Sequence, residues 1–437
     1  MGTVARRQSR ERNNLVTAWI QDWNDGVVVG SSFDGGKTWT RTVPNTTACT
    51  WSLNGSTPTA DYTDFAQYTS VNDPRVSFGP APTGQGSIAY LGSYVLGNSP
   101  FSSAIVNRSL DGGKTWTDPV VLDRESAPLV LDAPSIVADP NRARAGYAYA
   151  TWSKSDALNF ARNQYGAFTT DGGETWSPLP LIPASPGHIS MSELQVLPDG
   201  SLLAVITEVP TPTDGSLRGP TTFLARRLEN PTEPGSTWSD PVVVADPADP
   251  NLVAIPRSAV APATFAPNGT AYVSWQIADA NRSTLSLMYS KSTNGGRTWT
   301  PPYRIGSAIT GPPETGNNGT SSAPNIAVAS DGKVAVAFYD HRKYSGNTPP
   351  KVTDFWLRQS SDGGKKWSET HLAGPFDQTT AAPTDSATRG LIGDSQGIVP
   401  LSRGVGIAFT LAEPFVQNQC TRLTSLEPAT PTSSSTA

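Results

Sequence analysis

Three kinds of chemically capable side chain recur in one setting along this 437-residue chain, just before an apolar run or just after one. The first is arginine: Arg75 in Asn-Asp-Pro-Arg-Val, Arg257 in Ile-Pro-Arg-Ser-Ala, Arg342 in Tyr-Asp-His-Arg and Arg389 in Thr-Arg-Gly-Leu-Ile-Gly-Asp. A guanidinium forks two parallel N–H bonds onto a carboxylate, so such a set suits an anionic ligand. The second kind handles protons. Asp132 in Leu-Asp-Ala-Pro-Ser, His188 in Pro-Gly-His-Ile-Ser, and the adjacent Tyr339 and Asp340 are candidates for acid, base or nucleophile. The third is aromatic, with Trp23, Tyr94, Trp152 and Trp275 in the same settings. Each candidate also has a structural reading: Arg75 can pair with Asp73, Arg342 can brace Asp340 in a tight turn, and Tyr339 can be strand packing. His371 falls in an outer strand and reads as surface.

What must position these residues is a repeat. The octad Ser32-Phe33-Asp34-Gly35-Gly36-Lys37-Thr38-Trp39 returns at 109–116, 169–176, 292–299 and 360–367, and a worn copy spans Glu233 to Trp238. Acid positions lie about 60 to 77 residues apart, the span of one four-stranded sheet with its loops. Aspartate offers a carboxylate to nearby N–H groups, Gly-Gly supplies positive φ, and Thr and Trp begin the next strand. The tryptophan then packs beneath the turn. Asp34, Asp111, Asp171 and Asp362 are therefore expected to be structural.

Between octads, each module reads as an apolar strand opening near Ala-Pro or Asp-Pro, a Gly turn, a second apolar strand and a third. The first module shows three strands, its opening strand missing or degraded in the Arg-rich stretch from Val4 to Arg12. Three further strands follow the last octad, at 395–399, 405–411 and 418–423. They complete the first module, giving six modules, or start a seventh, and seven is the expected count. A polar segment (1–12), one repeat-built body (13–425) and a Pro/Ser/Thr-rich tail (426–437) make up the chain.

A net charge of −5 points away from nucleic acid and from acidic membrane surfaces. Gly and Pro number 39 each and charged residues are only 16%, a profile of short strands and turns rather than helices. Cys49 and Cys420 sit near the two ends of the repeat body, where a disulfide would staple its closure. Sequons at Asn45, Asn54, Asn107, Asn268, Asn281 and Asn318 hint at secretion, although no signal peptide is visible.

The octads resemble the Asp-box of sialidases and related proteins, and with Tyr-Asp-His-Arg and Gly-Asp-Ser-Gln-Gly the resemblance covers roughly residues 13 to 425. It implies an all-β, six- or seven-bladed β-propeller. In such a propeller the octads lie on one face, while the starts of inner strands and the ends of second strands share the other. The resemblance further implies a secreted, monomeric, exo-acting carbohydrate enzyme that holds a terminal acidic sugar of an oligo- or polysaccharide by an arginine cluster. Arg75, Arg257 and Arg342 or Arg389 would fill the arginine roles, Tyr339 the nucleophile's and Asp132 the acid's. The Arg-Ile-Pro segment that opens the first blade of sialidases has no counterpart. A lyase acting on a uronic acid, with His188 or Tyr339 moving the C5 proton, is the second reading, and a non-catalytic glycan-binding propeller the third. No cofactor is required and no residue is assigned to a metal, with Ca²⁺ the ion kept open.

Overall fold

The computed structural model describes residues 3–7, 13–21, 25–58, 67–82, 86–97, 101–156, 162–183, 188–210, 222–245, 252–254, 263–265, 268–279, 284–310, 324–343, 352–377, 380, 396–401 and 404–411. The chain is a six-bladed β-propeller. Blade 1 comprises β1 (Thr3–Arg7), β2 (Leu15–Gln21), β3 (Gly26–Ser32) and β4 (Thr40–Thr42), followed by the short helix α1 (Ala48–Leu53). Blade 2 comprises β5 (Tyr68–Pro80), β6 (Ser87–Gly97), β7 (Phe101–Ser109) and β8 (Val120–Ser126). Blade 3 comprises β9 (Leu129–Ala138), β10 (Ala148–Asp156), β11 (Arg162–Thr169) and β12 (Ser177–Pro178). These twelve strands belong to one compact unit.

The second compact unit holds the rest. Blade 4 has β13 (His188–Val196), β14 (Leu202–Pro210), β15 (Thr222–Leu228) and β16 (Val242–Ala245). In blade 5 the inner strand is split into β17 (Leu252–Ala254) and β18 (Ala263–Phe265) on β19 (Ala271–Asp279). Its outer positions are β20 (Thr284–Ser292), then β21 (Tyr303–Arg304) and β22 (Ile309–Thr310). Blade 6 has β23 (Asn325–Val328), β24 (Val334–Asp340), β25 (Val352–Ser360) and β26 (Ser368–Asp377), and a hairpin of β27 (Gly397–Pro400) and β28 (Val405–Ala408) follows.

Two expectations are corrected. The opening strand of blade 1 exists: β1 pairs with β2 from Thr3 opposite Trp19 to Arg7 opposite Leu15. Ladder bonds are backbone bonds, so an Arg-rich sequence does not forbid a strand. The blades number six rather than seven, and after blade 6 the described residues form a two-stranded hairpin. That hairpin seats on blade 6 through Gln396, whose Nε2 donates to Ala337 O at 2.9 Å while its carbonyl accepts from Asn325 Nδ2. The strand expected at 418–423 and the tail lie outside the described residues. Cys49 is disulfide-bonded, and Cys420, the chain's other cysteine, also lies outside them.

The octads form as read. In blade 3, Asp171 Oδ1 accepts from the N–H groups of Glu174 and Thr175 and from Thr169 Oγ1, and Oδ2 accepts from Thr175 Oγ1 at 2.5 Å. Burial works against this carboxylate, but the bonds from Thr175, Thr169 and Glu174 win and hold its pKa at about 2. Asn294 of blade 5 keeps the pattern with an amide, accepting from Thr298 N at 3.0 Å and donating to Thr298 Oγ1 at 2.8 Å.

Four octad turns also dock on the preceding blade of their unit. Ser31 Oγ donates to Gly113 O (2.9 Å), Arg108 Nη1 to Gly172 O (3.0 Å), Arg227 Nη1 to Gly295 O (3.3 Å) and Tyr289 Oη to Gly363 O (3.4 Å). Half-buried Trp116, Trp176, Trp299 and Trp367 pack on the blade cores beside these turns.

Candidate functional site

In the first unit, the inner strands of blades 2 and 3 break at the same place. Along β5, Asn72 faces Tyr94 and Arg75 faces Gly92, so one extra residue is squeezed in between them. Along β9, Asp132 faces Ser153 and Ser135 faces Thr151, with the same one-residue excess. Both bulges place a non-glycine residue in the left-handed region directly before proline: Asp73 at φ +48 before Pro74, Ala133 at φ +49 before Pro134. Such a residue costs about 1–3 kcal/mol and the following proline disfavours it further. Strain repeated at matched positions of neighbouring blades is held by its surroundings, and Asp132 and Arg75 flank the two bulges.

Asp132 is half-buried. Its Oδ1 accepts from Ala133 N at 2.8 Å, and its carbonyl accepts from the buried Ser153 Oγ at 3.0 Å. Trp152 lies opposite the bulge in the core with Leu131 and Ile136, and its Nε1 donates to Asp123 Oδ2 at 2.6 Å. Lys154 bridges Asp123 (2.8 Å) and Glu125 (2.5 Å) and sits 4.4 Å over the Tyr165 ring. Burial lowers the pKa of this ammonium, but the two carboxylates outweigh burial and raise it. Arg75 is half-buried at the end of the blade 2 bulge, with Nη1 3.5 Å from Pro74 O.

In the second unit the Tyr339-Asp340-His341-Arg342 segment ends β24. Tyr339 is buried, and its hydroxyl donates to Thr410 O at 2.6 Å and accepts from Thr410 N at 2.8 Å. Burial raises its pKa strongly, only partly opposed by the Thr410 N–H. Both bonds make Tyr339 a brace between β24 and the closing hairpin.

Asp340 is buried and takes Arg342 Nε on Oδ2 at 2.7 Å. Arg342 also forks onto Glu369 at 2.7 and 3.1 Å, and its guanidinium lies 4.2 Å from the Trp356 ring. Glu369 accepts in addition from Arg358 Nε at 2.7 Å. Burial pushes the Glu369 carboxyl up, but the bonds from Arg342 and Arg358 outweigh it and hold the carboxyl below its usual range. Of the two readings open for Arg342, the bracing one matches this geometry.

Several participants were not singled out in the sequence. Asp354 faces Asp340 across the ladder, fully buried, with His371 Nε2 at 2.7 Å and Lys343 Nζ at 3.3 Å on its Oδ1. His371, expected at the surface, is exposed there and is also tied to this carboxylate, its ring 4.7 Å from Trp356. The available signal was the period-2 alternation in β25, where Asp354, Trp356 and Arg358 share one face and Phe355 and Leu357 the other.

The structure thus brings Asp132 and Arg75 onto matched bulges of adjacent blades, and Asp340 onto Arg342. His188 opens β13 opposite Pro210, and the described structure stops at its backbone. Arg257, Arg389 and Asp394 lie outside the described residues. Among the described residues no group of three or more His, Cys, Asp or Glu side chains is arranged to hold a metal ion, and no helix is long and apolar enough to cross a membrane.

No family model matches the chain, and no curated protein matches it. Among solved structures, Hadza microbial sialidase Hz136 aligns at 16% identity and a TM-score of 0.48, covering 92% of this chain and 71% of its own. An α-L-arabinanase of Penicillium chrysogenum in complex with arabinobiose aligns at 16% identity and 0.44, covering 77% and 88%. A PL25 ulvan lyase bound to -[GlcA(1-4)Rha3S]- aligns at 9% identity and 0.46, covering 85% and 78%. These proteins are β-propellers, as is this chain.

Proposed function

We propose that this propeller is a carbohydrate-active enzyme: a sialidase-like, exo-acting glycoside hydrolase that takes a terminal acidic sugar of an oligo- or polysaccharide. The supporting observation is the pair of strained, proline-locked bulges that set Asp132 and Arg75 on neighbouring blades of one unit. Arg75 pairs with the sugar carboxylate, and Asp132, its carboxyl oriented by the Ala133 N–H, protonates the leaving oxygen. With the Tyr339 hydroxyl held by both backbone groups of Thr410, water is the attacking group. The reaction needs no organic cofactor, and the substrate is an extracellular glycan.

The test is turnover of fluorogenic sialosides and glucuronides, with a rhamnose-capped glucuronate polymer monitored in parallel for unsaturated product. Release of the fluorophore is expected, with Asp132→Asn lowering kcat by about 10²- to 10⁴-fold. Arg75→Ala should weaken acidic substrates by about ten- to a hundredfold. Unsaturated product without fluorophore release would replace hydrolysis by elimination.

A further inference from the structure

Four of the six sequons fall on described residues, and the fold treats them very differently. Asn107 is fully buried, and both N–H bonds of its amide are used, on Asn45 O and Thr117 O, each at 3.0 Å. Asn54 is exposed, but its Nδ2 donates to Val43 O at 3.0 Å and to Asn45 Oδ1 at 2.7 Å. Half-buried Asn45 donates to Asp118 Oδ1 at 2.9 Å and accepts from Asn54. These three amides form one hydrogen-bonded patch that ties the segment after β4 to blade 2.

Asn268 stands outside that patch. It is exposed just before β19, in the turn that follows β18, and its carbonyl oxygen accepts from Thr270 N at 3.1 Å, which leaves Nδ2 outside that local bond. Gly269 beside it has φ +80, and among the described residues nothing lies closer to its would-be Cβ than Pro198 Cγ at 3.7 Å. The antiparallel pairing of β18, β19 and β20, with Ala271 opposite Ser292, puts this turn at the octad end of blade 5. That is the end away from the loops leaving second strands. Among the described residues, a polar substituent on Asn268 Nδ2 would leave the bond from Thr270 N in place, and it would sit at the octad end of the blade.

We infer that Asn268 is a site of N-linked glycosylation, and that Asn45, Asn54 and Asn107 are structural amides despite their sequons. The glycan comes from a polyprenyl-pyrophosphate oligosaccharide in a secretory membrane. Asn268 Nδ2 forms the bond to the anomeric carbon, the sugar–pyrophosphate bond breaks, the lipid pyrophosphate leaves with the electron pair, and the amide loses one proton. Transfer precedes folding, so a glycan on Asn107 would have to be buried with its amide, which the fold does not allow.

The experiment is expression of the full chain behind a cleavable secretory leader in a eukaryotic host, followed by digestion and mass mapping of all four acceptors in the folded, soluble protein. Expected are a glycan at Asn268 that peptide N-glycosidase removes, loss of that glycan in Asn268→Gln, and unmodified Asn45, Asn54 and Asn107. Thr270→Val, which leaves the asparagine in place and removes the required hydroxyl, should lose the glycan equally. A bare Asn268 in wild-type protein, or a glycan on any of the other three, overturns the assignment.

Discussion

The octad glycines separate two costs that usually travel together, and Gly296→Ala measures one of them. Gly296 and Gly363 both have positive φ, +84 and +75, so an alanine at either costs about 1–2 kcal/mol in backbone strain. They differ in what the new methyl meets. At Gly363 nothing lies within 4 Å, whereas at Gly296 the methyl falls inside the van der Waals shell of Leu203 Cδ1, with Cδ2 at 3.5 Å. Leu203 is fully buried in the core shared by blades 4 and 5, so it cannot swing into solvent. Overpacking of that kind adds about 1–3 kcal/mol. Gly363→Ala should therefore cost about 1–2 kcal/mol and Gly296→Ala about 2–5 kcal/mol. Both sites are in the second unit, so urea unfolding followed by tryptophan fluorescence compares them directly. In the Leu203→Val background, which removes the clashing atoms, Gly296→Ala should cost less than in wild type by more than about 0.5 kcal/mol. Equal losses at the two glycines, or no coupling to Leu203, would refute the docking of octad turns on the preceding blade as a source of stability.

Other outcomes follow from the same contacts. Tyr339→Phe leaves the Thr410 N–H and carbonyl without their partner and should cost about 1–3 kcal/mol while leaving glycan turnover intact; loss of turnover with full stability would restore the nucleophile role. Arg342→Met strands the buried Asp340 carboxylate and should destabilise by about 3–5 kcal/mol in urea titration, whereas a loss under 1 kcal/mol would mean that water reaches Asp340. Asp171 has a folded pKa of about 2, below its value of 3.8 in the unfolded chain, so the unfolded state binds the extra proton. Its stabilisation is complete above pH 3.8 and lost as pH falls toward 2; Asp171→Asn, copying Asn294, should flatten that part of the acid-unfolding curve and change little at neutral pH.

Much of the fold was legible because the octad is chemically complete within eight residues. Aspartate, two glycines, threonine and tryptophan fix the turn without help from distant chain. What depended on partners far away was not legible. Tyr339 reads as a reactive phenol until Thr410, 71 positions on, takes both of its bonds. The bulges of β5 and β9 leave Asp-Pro and Ala-Pro visible as strand openings. The extra residue shows only in the register against β6 and β10. Asp354 looks like any strand aspartate until His371 of β26 and Lys343, in the turn after β24, meet it. The opening strand of blade 1 is masked in the sequence by its arginines, although its ladder to β2 asks nothing of side chains.

The seating of octad turns also has a direction. Ser31, Arg108, Arg227 and Tyr289, the donors, all precede in the chain the glycine carbonyls that they hold. During synthesis from the N-terminus, the receptor for each of these turns has already left the ribosome when the turn emerges. Blades of one unit can therefore be added in order, each new one finding its seat made, with no turn waiting for sequence still to be translated.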